Sequence, residues 1–396
     1  MTQLLKAPFP YFGGKSRVCR LLWERLGDVD NYIVPFCGSI PDILLRPTEH
    51  LRRVETVNDL DCHIANFWRA TQHDPEAVVR WCDWPVNECD QHARHRWLVY
   101  SDDAAAFRER MRTDPDYYDP KIAGLWCWGL CMWIGSGWCK QPTMLQSLSH
   151  KIPRAARRSG KGTGGNSTGV HAERPGGGKR PLLGGRSRRD NGHGVHRVAA
   201  EEADVMAKIP QLSDSGGRGV ITQGRPQLSD AYARGRGAHG NDRAMTCAQR
   251  TAWLLDWFSR LRDRLRVVRV CCGDWKRVCS SPSITTRLGL TGIFFDPPYG
   301  TKAERSPDLY SHDSLEVAGE VQTYCRERGG DPSFRIALCG YEGEHNVLEA
   351  SAWTKLAWKP TGGYGSRTAK GRASTKKERI WFSPHCLKTT EQTLFD

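Results

Sequence analysis

The sequence predicts an α/β fold whose mostly parallel sheet is covered on both faces. Two observations point there. Short apolar runs rich in β-branched and aromatic residues alternate along the chain with segments of helical periodicity, the pattern of strands joined by helical crossovers. These runs are confined to the stretches before about His150 and after about Gly240, and the residues between have a different composition.

From the N-terminus, Ser16 to Leu26 sets Val18, Leu21, Leu22 and Leu26 on one helical face. Asn31 to Val34 reads as a strand entering a loop at Pro35, and Val54 to Val57 as a second strand. A helix through Ile64, Phe67 and Trp68 follows. Leu125 to Cys139 is densely aromatic, is broken by Gly129, Gly135 and Gly137, and reads as a buried wall. Its Trp126, Trp128, Trp133 and Trp138 suit a core better than a base-stacking surface. Thr251 to Leu265 is an amphipathic helix with Trp253, Leu254, Trp257, Phe258, Leu261 and Leu265 in one stripe. Val267 to Cys272, Gly292 to Phe295, Phe334 to Leu338 and Arg379 to Phe382 complete the strands.

Composition bounds the function. The 396 residues carry 58 Lys+Arg against 44 Asp+Glu, a net charge of +14 that points to a polyanion such as nucleic acid. At 39% hydrophobic the chain can bury a core, which excludes wholesale disorder. It has neither an apolar run long enough to span a membrane nor a signal-peptide pattern at its start, so a cytosolic protein is expected. Its 15 cysteines, irregularly spaced, then read as reduced thiols.

Nineteen of the 40 glycines lie between Ser159 and Gly240. Lys151 to Gly240 holds 17 Lys+Arg and 7 Asp+Glu, so +10 of the net +14 sits there, without a Trp or Cys. A flexible cationic arm that tracks phosphates is the expected use. It contains a short repeat, Pro210 to Asp214 and Pro226 to Asp230, too brief for a solenoid. The C-terminal run Lys359 to Arg379 is a second Gly-rich basic segment suited to gripping a phosphate backbone.

The motif that carries chemistry is Gly292-Ile293-Phe294-Phe295-Asp296-Pro297-Pro298-Tyr299-Gly300. An apolar strand ends in a carboxylate, a stiff di-proline turn and an aromatic ring, at the strand end where open α/β sheets bind ligands. Asp296 and the Pro297 carbonyl can accept the two hydrogens of an exocyclic amine, and Tyr299 can stack on the base that bears it. Tyr310 to Asp313 reads as a loop able to close over that base. Cys82, Cys89, His92 and His95 are metal-capable residues, but the first spacing is long for a zinc knuckle and core packing is the expected use.

Four further motifs accompany the turn: Phe9-Pro10-Tyr11-Phe12-Gly13-Gly14-Lys15, Val34-Pro35-Phe36-Cys37-Gly38-Ser39, Asn58-Asp59 and Cys272-Gly273-Asp274-Trp275. In this order and spacing they resemble the Dam-type DNA adenine-N6 methyltransferases over Phe9 to about Asp61 and about Val267 to Phe382. The resemblance implies a Rossmann-like sheet, S-adenosyl-L-methionine as methyl donor, and double-stranded DNA as partner with its adenine flipped out. It implies cofactor contacts from Tyr11, Lys15, Phe36, Gly38, Ser39, Asp59, Asp274, Trp275 and Asp296, and a catalytic turn of Asp296, Pro297, Pro298 and Tyr299. It implies no metal, and a monomer in the cytoplasm of a bacterial host or of phage origin. Residues 1–73 and 246–396 then form the two halves of the methyltransferase domain. Residues 74–150 form a helical, aromatic part of the recognition region, and 151–245 a basic insertion.

Two positions depart from the family pattern. Val34 stands where an acid is usual, with Asp42 as a possible substitute, and Ile40 stands where a second glycine is usual and adds bulk beside the cofactor. Methylation of cytosine N4 and a non-catalytic nucleic-acid-binding role stay open as alternatives. A composition of glycine and arginine suits phosphate better than base edges, so relaxed or very short sequence preference is expected.

Overall fold

The computed structural model describes residues 5–11, 15–47, 53–85, 87–133, 138–139, 246–299, 316–358 and 378–388. All of them fall in one compact unit, Met1–Gln141 with Pro210–Asp396. The Gly/Arg-rich segment with its repeat, Phe12 to Gly14, Tyr310 to Asp313 and residues 359–377 of the C-terminal basic run lie outside the described residues.

Seven strands form one sheet: β1 (Asn31–Val34), β2 (Val54–Asp59), β3 (Val268–Cys272), β4 (Thr291–Phe295), β5 (Phe334–Tyr341), β6 (Thr354–Ala357) and β7 (Glu378–Phe382), in the order β3-β2-β1-β4-β5-β7-β6. The first five are parallel, and β7 runs antiparallel to both β5 and β6. The chain builds outward from β1 to β3 and then returns to place β4 on the other side of β1. That reversal makes the doubly wound order compatible with a Rossmann-like fold, with a topological switch point between β1 and β4. β1 and β4 are buried along their whole length, as central parallel strands must be. β6 has no apolar run; with Lys355 and two exposed ends it is a charged edge strand, and its sequence carries no strand signal.

Helix α1 (Cys19–Leu26) precedes β1, and the short α2 (Pro41–Leu44) follows it. The connection from β2 to β3, residues 60–267, carries α3 (Cys62–His73), α4 (Pro75–Cys82), α5 (Glu88–Tyr100), α6 (Asp102–Thr113), α7 (Pro120–Met132) and α8 (Cys247–Leu265). Each begins at a side-chain cap: Asp61, Asp74, Asn87, Ser101, Asp119 and the Thr246–Gln249 capping box. In α8 the stripe Leu254, Trp257, Phe258, Leu261 and Leu265 is buried. Its Arg264 reaches Glu55 of β2 at 2.7 and 2.8 Å, which locks the helix to the sheet. After β3 come α9 (Lys276–Cys279) and α10 (Val317–Arg328).

The aromatic wall is buried at Trp126, Trp128, Trp133 and Trp138. Gly129 does not break it: α7 runs through this position, and a Cβ there would lie 1.8 Å from the Trp138 ring. The glycine is set by close packing, not by a turn. Phe9 of the N-terminal segment stacks edge-on against Phe67 of α3 and Trp126 of α7, which ties the start of the chain to these two helices.

Candidate active site

Three strand ends, β2, β1 and β4, open on the same edge of the sheet. After β1, the loop Pro35 to Ile40 is tied to β2 by Cys37 N–H donating to the Asn58 carbonyl (2.9 Å). The Asn58 side chain donates to the Pro35 and Gly273 carbonyls at 3.0 and 2.9 Å, clamping the loops after β1 and β3. Asp59 Oδ2 accepts from Gly38 N–H and its Oδ1 from Asp61 N–H, both at 3.0 Å. Burial, then the neighbouring Asp61 charge, pushes the Asp59 carboxyl up to about 7.

Gly38 has φ +49, and a Cβ there would lie 2.5 Å from the Tyr11 ring. Glycine is therefore required twice over, by its left-handed backbone and by the ring on top of it. Trp68 of α3 donates to the Gly38 carbonyl at 2.8 Å from the other side. Ser39 is half-buried beside it. Ile40 is left-handed too, at φ 42, an unusual conformation for a β-branched residue. Its side chain is wholly buried, so the expected bulk is packed into the interior. Asp42 is likewise interior: its Oδ2 accepts the Tyr32 hydroxyl at 2.7 Å, and burial raises its carboxyl to about 6.

Phe36 is half-buried with its ring 6.3 Å from Trp275 and 6.4 Å from Phe295. Trp275 packs into the core against Phe295 and Tyr324, with its indole Nε1 buried and without an acceptor among the described residues. Asp274 is exposed and accepts from the N–H of Lys276, the first residue of α9, at 2.8 Å.

Past β4, the turn meets the N-terminal lysine. Lys15 Nζ lies 3.0 Å from Asp296 Oδ1 and donates to the Tyr299 hydroxyl at 3.0 Å. That hydroxyl sits 2.7 Å from Glu378 Oε2 and 3.4 Å from Asp296 Oδ1. Glu378 Oε2 is 3.9 Å from Lys15 Nζ. Pro297 is buried and Pro298 half-buried in the turn. The Tyr299 ring packs edge-on against Tyr341 at 4.6 Å, and Lys15 lies over the Trp358 ring at 5.1 Å. Burial raises the Asp296 carboxyl, opposed by Lys15, and raises the Glu378 carboxyl against the pull of Lys15 and the Tyr299 hydroxyl. Tyr299 is held far up by burial and then by its two acidic neighbours.

The structure thus joins Lys15, Asp296 and Tyr299 directly, and Tyr11, Gly38 and Asp59 in a second cluster. Asp274 and Trp275 line neither cluster by a direct polar contact among the described residues. Glu378, Tyr341 and Trp358 were not anticipated; an acid opening an apolar strand was the one available signal for Glu378. Among the described residues no group of three or more His, Cys, Asp or Glu is arranged to hold a metal, and no helix is long and apolar enough to cross a membrane. Cys89 is exposed, whereas Cys82 and His95 are buried. No protein-family model and no curated protein matches this chain.

Proposed function

We propose that this chain is an S-adenosyl-L-methionine-dependent DNA methyltransferase acting on adenine N6 in double-stranded DNA. One observation carries the reading: Lys15 from the start of the chain and Asp296 and Tyr299 from the turn after β4 form a polar cluster, buried at Lys15 and Tyr299 and half-buried at Asp296, beside the switch point of the sheet. The cofactor's net positive charge suits strand ends bearing Asp59, Asp296 and Glu378. The glycine loop at Gly38, the ribose-binding capacity left on Asp59, and the buried indole donor of Trp275 beside Phe36 fit the same group. Phe36, Gly38, Ser39, Asp59 and Trp275 would hold it. When bound, it supplies an electrophilic methyl group on a sulfonium.

The protein's share is positioning and electrostatics. Lys15 occupies Asp296 Oδ1, which fixes the carboxylate so that its remaining acceptor capacity can hold a substrate amine. The rigid di-proline turn keeps that acceptor in place. Tyr299 and the neighbouring Tyr341 supply aromatic surface for a flipped base. The basic surplus of the chain supplies phosphate contacts, with relaxed or very short sequence preference. The protein would act as a monomer in the cytoplasm, without a metal.

Duplex DNA incubated with methyl-labelled cofactor and digested to nucleosides should yield N6-methyl-2′-deoxyadenosine. Label in N4-methylcytosine would transfer the reading to that amine, and no label in DNA would overturn it. Asp296→Ala should abolish transfer while DNA binding on filters survives; full activity in that variant would remove the turn from the mechanism.

A further inference from the structure

The Tyr299 hydroxyl stands between two carboxylates and has one proton to give. The Glu378 contact, at 2.7 Å, is a full hydrogen bond, and the Asp296 contact, at 3.4 Å, is marginal. The proton therefore lies toward Glu378, and a lone pair of the same oxygen faces Asp296. Lys15 donates to that oxygen and touches Asp296, holding both acceptors at fixed positions from a site only 3% exposed. An Asp296 that has picked up a proton would find an acceptor already oriented toward it.

We propose that Glu378 is the terminal acceptor of a proton relay from Asp296 through the Tyr299 hydroxyl. It rests on the methyltransferase reading for the source of the proton; the wire itself belongs to the ligand-free protein. After methylation the amine nitrogen carries one proton in excess. Its N–H bond breaks as an O–H bond forms on Asp296. The Asp296 O–H then breaks as the Tyr299 oxygen gains that proton, and the Tyr299 O–H breaks as Glu378 Oε2 gains the next. One proton moves over three sites, Asp296 returns to its charged form, and nothing is oxidised or reduced. Glu378 is 8% exposed, which leaves it an edge on solvent for release.

Glu378 can accept only when ionised. It faces Lys15 from the N-terminal segment, Asp296 and Tyr299 from the turn after β4, and Glu344 from the turn after β5. Cys339 of β5 also lies within its field. Burial raises its carboxyl, so its protonation begins above the range of an exposed glutamate.

The experiment has two arms on the full chain. In infrared difference spectra of the ligand-free protein across an acid titration, a protonated-carboxyl band should appear above the ordinary glutamate range. Glu378→Gln should remove it and Tyr299→Phe should shift its frequency. In turnover on duplex DNA, Glu378→Gln should lower kcat by at least about tenfold and remove one ionisation from the acid limb of the pH profile, while Glu378→Asp retains that ionisation. Tyr299→Phe keeps the ring and reads the same wire if the glutamine variant does not fold. A band indifferent to Tyr299→Phe, or an acid limb unchanged in Glu378→Gln, would overturn the relay. A wild-type protein that methylates no DNA would instead remove the functional reading, and the infrared band would still decide the wire.

Discussion

Two acids stand at strand ends on either side of β1 and are held in opposite ways. Asp59, closing β2, is braced by backbone: Gly38 N–H and Asp61 N–H, 21 and 2 residues away in sequence. Asp296, past β4, is braced by a side chain: the Lys15 ammonium, which also reaches the Tyr299 hydroxyl across 284 residues. Burial raises both carboxyls. Backbone donors cannot be removed or titrated, so the β2 end is a fixed feature of the fold. The β4 end depends on charges brought from both termini, and a single substitution can take it apart.

Lys15→Met is the largest blow to that contrast. It leaves Asp296 and Glu378 sharing a buried site without their cation. A stability loss of about 3 kcal/mol is expected at about pH 8, because an uncompensated buried charge costs that much. The pH dependence has a definite sign. Both acids have raised values in the folded state, so they weaken the fold as pH rises through those values and are harmless once protonated. Without Lys15 both values climb further. The urea midpoint of the variant should therefore meet that of the wild type on acidification and separate from it in base. A constant gap at all pH values would mean that Lys15 is held by packing over Trp358 alone.

The same contrast explains what was legible in the sequence. Asp59 and the Asp296 turn are local patterns, an acid at the end of an apolar run, and spacing exposes them. Tyr11 and Lys15 came only through a family pattern, since nothing local ties a Gly-Gly-Lys to a strand end hundreds of residues away. Glu378 was hidden because its partner Tyr299 is 79 residues distant and its strand reads as starting one residue later. Gly129 misled for a related reason: a helical glycine looks like a break until Trp138, beyond the end of the helix, is seen against it. The caps Asp74-Pro75, Asn87, Ser101 and Asp119-Pro120 were readable helix starts, and they would have divided residues 74–132 into α4 to α7.

Gly38→Ala tests the backbone-held end. The left-handed φ and the collision with Tyr11 should cost about 2 kcal/mol in thermal or urea unfolding. Methyl-donor affinity should fall with it, measured by calorimetry, because the loop that presents Gly38 N–H to Asp59 must shift. The β4 cluster should be spared, visible as an unchanged Glu378 infrared band. Loss of that band would show that the two ends form one unit rather than two.

Asp61→Ser is the smallest change and the finest probe. Asp61 caps α3 through His63 N–H and also adds the charge that, after burial, raises Asp59 most. Serine keeps a cap, so stability should change by no more than about 0.5 kcal/mol from capping. The charge is gone, so the Asp59 midpoint should fall below its value of about 7. A raised carboxyl loses folding stability as pH climbs from its unfolded value, about 4, to its folded one, so the variant should lose less over that window. Carbon NMR of the Asp59 carboxyl reads the midpoint directly. An ionised Asp59 is the better acceptor for ribose hydroxyls, so the pH at which methyl-donor affinity reaches its plateau should drop with it. A midpoint that stays put would assign the whole shift to burial, and the β2 end would then owe nothing to charge, which is the sharpest form of its difference from the β4 end.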